Sequence, residues 1–355
     1  MRPPFTFATN YQQRPFLILW EITRACDLAC RHCRADAIQR RHSDELSTAE
    51  ALAQLDAMAR DFGPVLVVFT GGDPLLRDDL EILIAHVKKL GLRPALTPSA
   101  TPLLSAQRLD RLIAAGVQRV ALSLDGADAA SQDGFRGVDG TFARTCTALA
   151  HCQQRGLELQ INSAIGRHNI QQLDALADLV QWYGAVLWSV FVLVPTGRAS
   201  ADALLSAGEH EQLYRRLAVL SEQRPFAIKT TAGQPYYRVL AQRGQSRSQG
   251  LRAPKPVNDG KGVLFIDHCG NVQPSGFLPI NCGNVRQQSV AEIYRSHPLF
   301  RDLRNPDALG GKCGKCEYRS LCGGSRSRAY GISGDPLAAD PTCAYQPKGL
   351  ELHYV

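Results

Sequence analysis

The chain has 355 residues, 45% of them apolar and 21% charged, and carries a formal net charge of +7. That length lies above the size at which one core usually stops growing, so one large domain with an appendage, or two domains, is expected. The composition is that of an ordinary soluble globular protein, and no run of about 18 apolar residues is present to span a bilayer.

Residues 1–15 read as an N-terminal extension. The stretch MRPPFTFATNYQQRPFLILW lacks a small-residue cleavage site after an apolar segment, which argues against export and for a cytoplasmic protein. In a reducing compartment the eleven cysteines are expected to be metal ligands, catalytic groups or buried hydrophobes rather than disulfides. The arginines are scattered, so the positive charge reads as a solvated basic surface.

Residues 16–240 alternate short apolar runs with amphipathic stretches, the pattern of βα units around a parallel sheet. Six strands can be placed: FLILWEI (16–22), VLVVFT (65–70), RPALT (93–97), QRVALSL (118–124), ELQINSA (158–164) and LWSVFVLV (187–194). After the first, Ser47 and Glu50 form a capping box, Leu52, Leu55 and Met58 trace one helix face, and Gly63 closes the helix. Leu80, Leu83, Ile84 and Val87 make a similar stripe before Gly91. Six such units with right-handed crossovers predict an α/β fold, a partial (β/α)6 TIM-like barrel, since closure requires eight. Chemistry in such folds sits beyond the carboxyl ends of the strands. There the chain carries TRACDLACRHC, GGDP, PSAT, DG, NSAIGRHN and PTGR in turn.

Residues 203 to about 240 read as helical and then mixed, and 241–262 as a linker or loop rich in Arg, Ser, Gly and Pro. Residues 263–355 form a small C-terminal cysteine-rich region. GVLFIDHCGNVQPSGF reads as a hairpin turning at CGN, SVAEIYRSH as a short helix, and the remainder as an irregular segment that needs a staple.

Two cysteine sets carry chemistry. Cys26, Cys30 and Cys33, spaced C-x3-C-x2-C, supply three thiolates, which leaves one iron of a cubane without a protein ligand. An open coordination position is what catalysis requires. The competing reading is a zinc knuckle with a distant fourth ligand such as His32 or His42. Cys313, Cys316, Cys322 and Cys343 supply four thiols and a closed site, which suits an iron-sulfur cluster or zinc. Cys146 and Cys152 read as core or surface thiols, and Cys269 and Cys282, without a full complement of partners, either help a labile metal site or have no role, the second reading being favoured.

The triplet and the GGDP motif together resemble the radical S-adenosylmethionine (SAM) superfamily, with His32 where that family often has an aromatic ring. The resemblance implies that Cys26, Cys30 and Cys33 hold a catalytic [4Fe-4S] cluster whose open iron binds SAM. It implies that Gly71, Gly72, Asp73 and Pro74, matching the GGEP motif, meet the methionine amino group, largely through backbone. It also implies cofactor contacts for Ser123 and Asp125 in SLDG, for Arg136 in GFRG and for Asn162 in QINSA. The tail resembles the auxiliary domain called SPASM, or its shorter twitch form. That implies one auxiliary [4Fe-4S] cluster on Cys313, Cys316, Cys322 and Cys343, with Ser275 and Ser325 standing where related chains often have a cysteine.

The activity so implied is reductive cleavage of SAM to a 5′-deoxyadenosyl radical, driven by a flavodoxin- or ferredoxin-type one-electron donor, and hydrogen abstraction from a substrate. Within the superfamily the tail is most similar to the branch that trims tetrapyrrole side chains in haem and haem d1 formation, ahead of the peptide-modifying branch. Arg198 is a candidate partner for a substrate carboxylate. A non-enzymatic iron-sulfur or zinc module that binds nucleic acid through residues 242–262 is the competing class, weakened by the lack of interleaved aromatics there.

Overall fold

The computed structural model describes residues 10–245 and 256–348. Residues 1–9 of the expected extension and 246–255 of the expected linker lie outside the described residues.

Each apolar run becomes a strand: β1 (Leu17–Glu21), β2 (Leu66–Thr70), β3 (Arg93–Leu96), β4 (Arg119–Ser123), β5 (Glu158–Ile165) and β6 (Leu187–Val192). All pair in parallel with their chain neighbours. These strands are apolar on both faces because helices cover one side and the barrel interior the other. The helix Thr48–Phe62 starts where expected: Ser47 Oγ accepts from the Glu50 amide at 3.3 Å, and Glu50 Oε2 accepts from the Ser47 amide at 2.8 Å. Its face of Leu55, Met58 and Phe62 is buried, and truncating either aliphatic side chain to Ala costs about 2–5 kcal/mol. Gly63, at φ +66°, ends it in a conformation that L side chains rarely adopt.

The sheet extends beyond the six expected units. A seventh parallel strand, β7 (Ala227–Thr231), pairs with β6 inside the stretch read as mixed, and β8 (Val263–Ile266) pairs in parallel with β1, Leu17 against Val263. The described order is β7-β6-β5-β4-β3-β2-β1-β8-β9, with β9 (Val272–Gln273) the antiparallel partner of β8. The C-terminal region therefore begins as a strand of the barrel sheet. VLFI is buried throughout, and its apolar face is satisfied only beside β1. The hairpin turns at CGN as expected, with Gly270 at φ +86° and Asp267 Oδ1 accepting from the amides of Cys269 and Asn271, both at 2.9 Å.

Beyond the short helix Val290–Ser296 the tail is mostly loop and is tied to the barrel by polar contacts. Asn258 Nδ2 donates to Gly324 O at 2.9 Å, and Arg328 Nη1 donates to Ala232 O at 2.8 Å. No helix among the described residues is long and apolar enough to cross a membrane.

Candidate active site

The loop after β1 folds back on itself. The Cys26 amide donates to Ile38 O at 2.8 Å and the Ile38 amide to Arg24 O at 3.1 Å, so the three cysteines sit on a closed ring of chain. Neighbouring rim segments grip this ring by backbone. The Gly72 amide donates to Thr23 O at 2.9 Å, the Ala29 amide to Arg136 O at 3.2 Å, and the Arg198 amide to Cys33 O at 3.0 Å. A Cβ on Gly72 would lie 2.3 Å from Ala25 O, and one on Gly197 2.3 Å from Cys33 O. The glycines of GGDP and PTGR are thus required by the cysteine loop itself, a tighter constraint than ligand approach alone.

Each sulfur of the triplet meets a nitrogen donor. The Leu28 amide points at Cys26 Sγ (3.4 Å), the Ala37 amide at Cys33 Sγ (3.3 Å), and Arg136 Nη1 at Cys30 Sγ (3.7 Å). Such donors stabilise thiolates and set the potential of a cluster they bind. Burial pushes the Cys26 thiol up to about 11, so its proton leaves only when a metal takes its place. Ser99, from the rim after β3, donates to Gly72 O at 2.9 Å and lies 3.7 Å from Cys26 Sγ.

The other expected site residues divide. Gly71, Gly72, Ser123, Asp125, Arg136, Asn162 and His32 line, with the triplet, one cavity of about 320 Å3 at the carboxyl ends of the strands. Asp73 and Pro74 stand behind that wall. The Asp73 carboxylate is fully buried and accepts from Thr101 Oγ1 (2.8 Å), the Leu75 amide (3.1 Å) and the Ser99 amide (3.3 Å), bracing the PSAT loop. Burial raises its pKa above the usual carboxylate range. Pro74 opens the short helical turn that Asp73 caps.

Asp125 accepts from the Ala164 amide at 2.7 Å and pairs with Arg136, whose buried Nε has no partner. Gln132, which the sequence did not suggest, orders this corner: its Oε1 accepts from the amides of Asp125 (2.7 Å) and Gly126 (3.0 Å), and its Nε2 donates to Ser123 O (3.1 Å). The His32 ring stacks on Phe135 at 4.2 Å, and Phe135 on His168 at 3.9 Å. Burial lowers His32 to about 3, so this ring is neutral. Arg198 contributes its backbone to the loop while its side chain is exposed. Lys229 of β7, opposite Ser189 of β6, also lines the cavity and has no side-chain hydrogen bond or ion pair among the described residues. Burial lowers its pKa to about 8, aided by Arg119.

The four C-terminal cysteines converge on a second, small cavity of about 20 Å3 that all four line. Here too N–H groups face sulfur: Asp340 and Arg326 Nη2 to Cys313 (3.3 and 3.6 Å), Tyr318 to Cys316 (3.5 Å), and Gly324 to Cys322 (3.4 Å). Burial raises the thiols of Cys316, Cys322 and Cys343. Ser275 is buried and its hydroxyl accepts from the Phe277 amide, an internal turn contact.

Two family models match the chain: the radical SAM superfamily over residues 20–180 and an iron-sulfur cluster-binding domain, SPASM, over residues 258–317. Among curated proteins the chain is 40% identical to an AdoMet-dependent heme synthase of Nitratidesulfovibrio vulgaris, across 94% of this chain and 93% of that one. It is 30% identical to a PqqA peptide cyclase of Xanthomonas axonopodis pv. citri, across 94% and 88%. Among solved structures, Streptococcus suis SuiB bound to the precursor peptide SuiA superposes with a TM-score of 0.72 at 17% identity, over 94% of this chain and 76% of that one, a likeness of fold. The three thiols on a glycine-gripped loop at the mouth of a partial barrel fall within the first matched model and Cys313 and Cys316 within the second, and the chain belongs to the radical SAM superfamily, as a [4Fe-4S]- and SAM-dependent enzyme with an auxiliary cluster domain.

Proposed function

We propose that Cys26, Cys30 and Cys33 hold the SAM-binding cluster, that Cys313, Cys316, Cys322 and Cys343 hold the auxiliary one, and that the substrate is a tetrapyrrole whose carboxyl-bearing side chain is trimmed. The observation that carries the substrate reading is the 40% identity to a heme synthase along nearly the whole of both chains, against 30% to a peptide cyclase over the same span. The cluster reading is supported by the two matched family models and by ligand number, three thiols leaving an open iron at the first site and four closing the second.

The bound cluster and SAM supply the one-electron cleavage that makes a 5′-deoxyadenosyl radical. The chain's own residues bind and orient. The unpartnered Nε of Arg136 is free to donate to the SAM carboxylate, and Ser123, Asp125 and Asn162, on adjacent strand ends, face the same space. Gln132 holds the Ser123–Gly126 turn in place, and the apolar cavity wall keeps water from the radical. Lys229 pairs with a substrate carboxylate in a setting where such a charge-assisted bond is strong. The electron donor is a flavodoxin- or ferredoxin-type protein of the cytoplasm.

The test is anaerobic turnover. Reduced, reconstituted protein with SAM and a propionate-bearing iron porphyrin should yield 5′-deoxyadenosine together with a porphyrin that has lost carboxyl groups by mass spectrometry. 5′-Deoxyadenosine with an unchanged porphyrin would remove the tetrapyrrole reading. Replacing Lys229 with Gln should raise KM for the porphyrin about 10- to 100-fold, the worth of one hydrogen bond to a charge, with a smaller effect on SAM. Because burial holds the Lys229 pKa near 8, the ammonium is lost as pH rises through that value. Porphyrin KM in the wild type should therefore climb above about pH 8 and be flat there in Lys229→Gln.

Gly72→Ala places a methyl group 2.3 Å from Ala25 O and 2.6 Å from Arg24 O, both backbone atoms, so the cysteine loop has to shift. A displacement near 1 Å at a reacting centre costs ~10²-fold. 5′-Deoxyadenosine formation should fall by that order, while the iron of the auxiliary site is retained.

A further inference from the structure

We propose that His42, His268 and Cys269 form a mononuclear metal site of the zinc class, separate from both cysteine sets. Their ligand atoms all lie within 4.8 Å of one another, and His42 Nδ1, which accepts from the Asp44 amide at 3.2 Å, is 3.9 Å from Cys269 Sγ, so a metal there takes the place of that amide hydrogen bond. A tetrahedral zinc with bonds near 2.0–2.3 Å places its ligands about 3.3–3.6 Å apart, so small side-chain movements complete the set. The two segments are more than 220 residues apart in sequence: His42 follows the cysteine loop, and His268 with Cys269 forms the turn between β8 and β9.

The surroundings are those of a built site. His268 Nδ1 is 2.9 Å from Glu21 Oε1, which leaves Nε2 as its ligating atom, and the other Glu21 oxygen is held by Arg34 at 2.8 Å. A carboxylate on the far nitrogen is the arrangement that orients metal-bound histidines and raises their basicity. Glu21 is 3% exposed and His268 8%, so this pair is fixed by packing. Cys269 feels the carboxylates of Asp267, Asp44 and Glu45, opposed by the guanidinium of Arg286, with Glu45 itself paired to Arg41 at 2.6 Å. The Leu46 amide donates to His268 O at 2.9 Å, joining the same two segments by backbone. The donor set is two imidazoles and one thiolate, suited to a borderline-soft divalent ion, with water in the fourth position. On binding, the Cys269 thiol gives its proton to solvent as the metal-sulfur bond forms. The ion clamps the loop that follows Cys33 to the β8–β9 hairpin, independently of what the active site acts on.

The probe is Zn2+ itself. Full-length protein, reconstituted with iron and sulfide, is given one equivalent of zinc chloride, desalted and analysed for both metals. Wild type should retain about one zinc per chain with its iron unchanged. Cys269→Ser and His42→Gln should each retain little zinc at the same iron content, and zinc-edge absorption should report one sulfur with two or three nitrogen or oxygen neighbours. Glu21→Gln should weaken zinc ~10- to 100-fold in competition with a chromophoric chelator. His42 is on the surface, its side chain 39% exposed, so His42→Gln folds whether or not Cys269→Ser does. Zinc retained equally by wild type and His42→Gln, zinc gained at the expense of iron, or a zinc shell of four sulfurs would each overturn the site.

Discussion

Replacing any one of Cys26, Cys30 and Cys33 with Ala is expected to abolish SAM cleavage, while the same change at Cys146 leaves it intact. The argument is one of ligand number. Three thiols leave one iron of a cubane for SAM, whereas two leave two irons without protein ligands, so the cluster no longer has a single defined open position. His42 stands beside Cys269 and so does not serve the triplet as the zinc-knuckle reading allowed, while His32, stacked on Phe135, keeps a buried Nδ1 without a partner among the described residues beside the same cavity. The expected loss of 5′-deoxyadenosine formation is at least ~10³-fold, about 4 kcal/mol of barrier, since the auxiliary site has four thiols and leaves no open iron for SAM. Iron analysis reads the same variants by a second route. Each should lose the iron of the first cluster and keep that of the tail, whereas Cys322→Ala should show the reverse and still cleave SAM. A triplet variant that cleaves SAM at near the wild-type rate would remove the assignment of those cysteines.

The radical SAM signature and the six βα units were legible because both are local. A strand of Val, Ile and Leu, a capping box at Ser47 and Glu50, and three cysteines within eight residues are written in contiguous sequence, and the structure reproduces each. What could not be read depends on distant partners. AIKTT of β7 has two apolar residues and a lysine, and becomes a strand because β6 offers it an unpaired edge. VLFI of β8 was legible as one arm of a hairpin, but its parallel place beside β1 is set by contacts across some 246 residues. The GGDP motif implies a contact by Asp73 largely through backbone, and what its side chain does shows only in the fold, where Ser99 and Thr101, from the next strand's loop, offer it donors. Gln132 carries no motif, and only the folded corner reveals that its amide satisfies two backbone N–H groups at once. His42 stands out in the sequence only as a distant fourth ligand for the cysteine triplet, and its place beside His268 depends on the hairpin that brings the two together.

Asp340→Ala is expected to be the most damaging single change outside the cysteines. Arg328 and Asp340 are both fully buried, and their ion pair at 3.1 Å sits in a closed network. Asp340 Oδ2 accepts from the Ser325 amide (2.9 Å) and Oδ1 from Thr342 Oγ1 (3.0 Å), while Arg328 donates to Ala232 O of the barrel. Removing the carboxylate leaves a guanidinium buried without its counter-charge, which costs about 3–5 kcal/mol. The loss bears on the tail's metal site as well, since the Asp340 amide faces Cys313 Sγ. Arg328→Met combined with Asp340→Leu should recover part of the stability lost by Asp340→Ala, because it removes the unpaired Arg328 charge, while Arg326 keeps its hydrogen bonds to backbone carbonyls. The same pair sets an acid limit. Burial alone would raise the Asp340 pKa, but Arg328, the Ser325 amide and Arg326 hold it down to about 2 against an ordinary 3.8. A depressed carboxylate stabilises the folded state fully above its unfolded value and progressively less as pH falls from about 4 to 2. Urea midpoints measured from pH 7 down to pH 2 should therefore decline more steeply in wild type than in the Met/Leu double variant over that window. Parallel declines would mean that Asp340 is not held ionised by Arg328 in the folded protein.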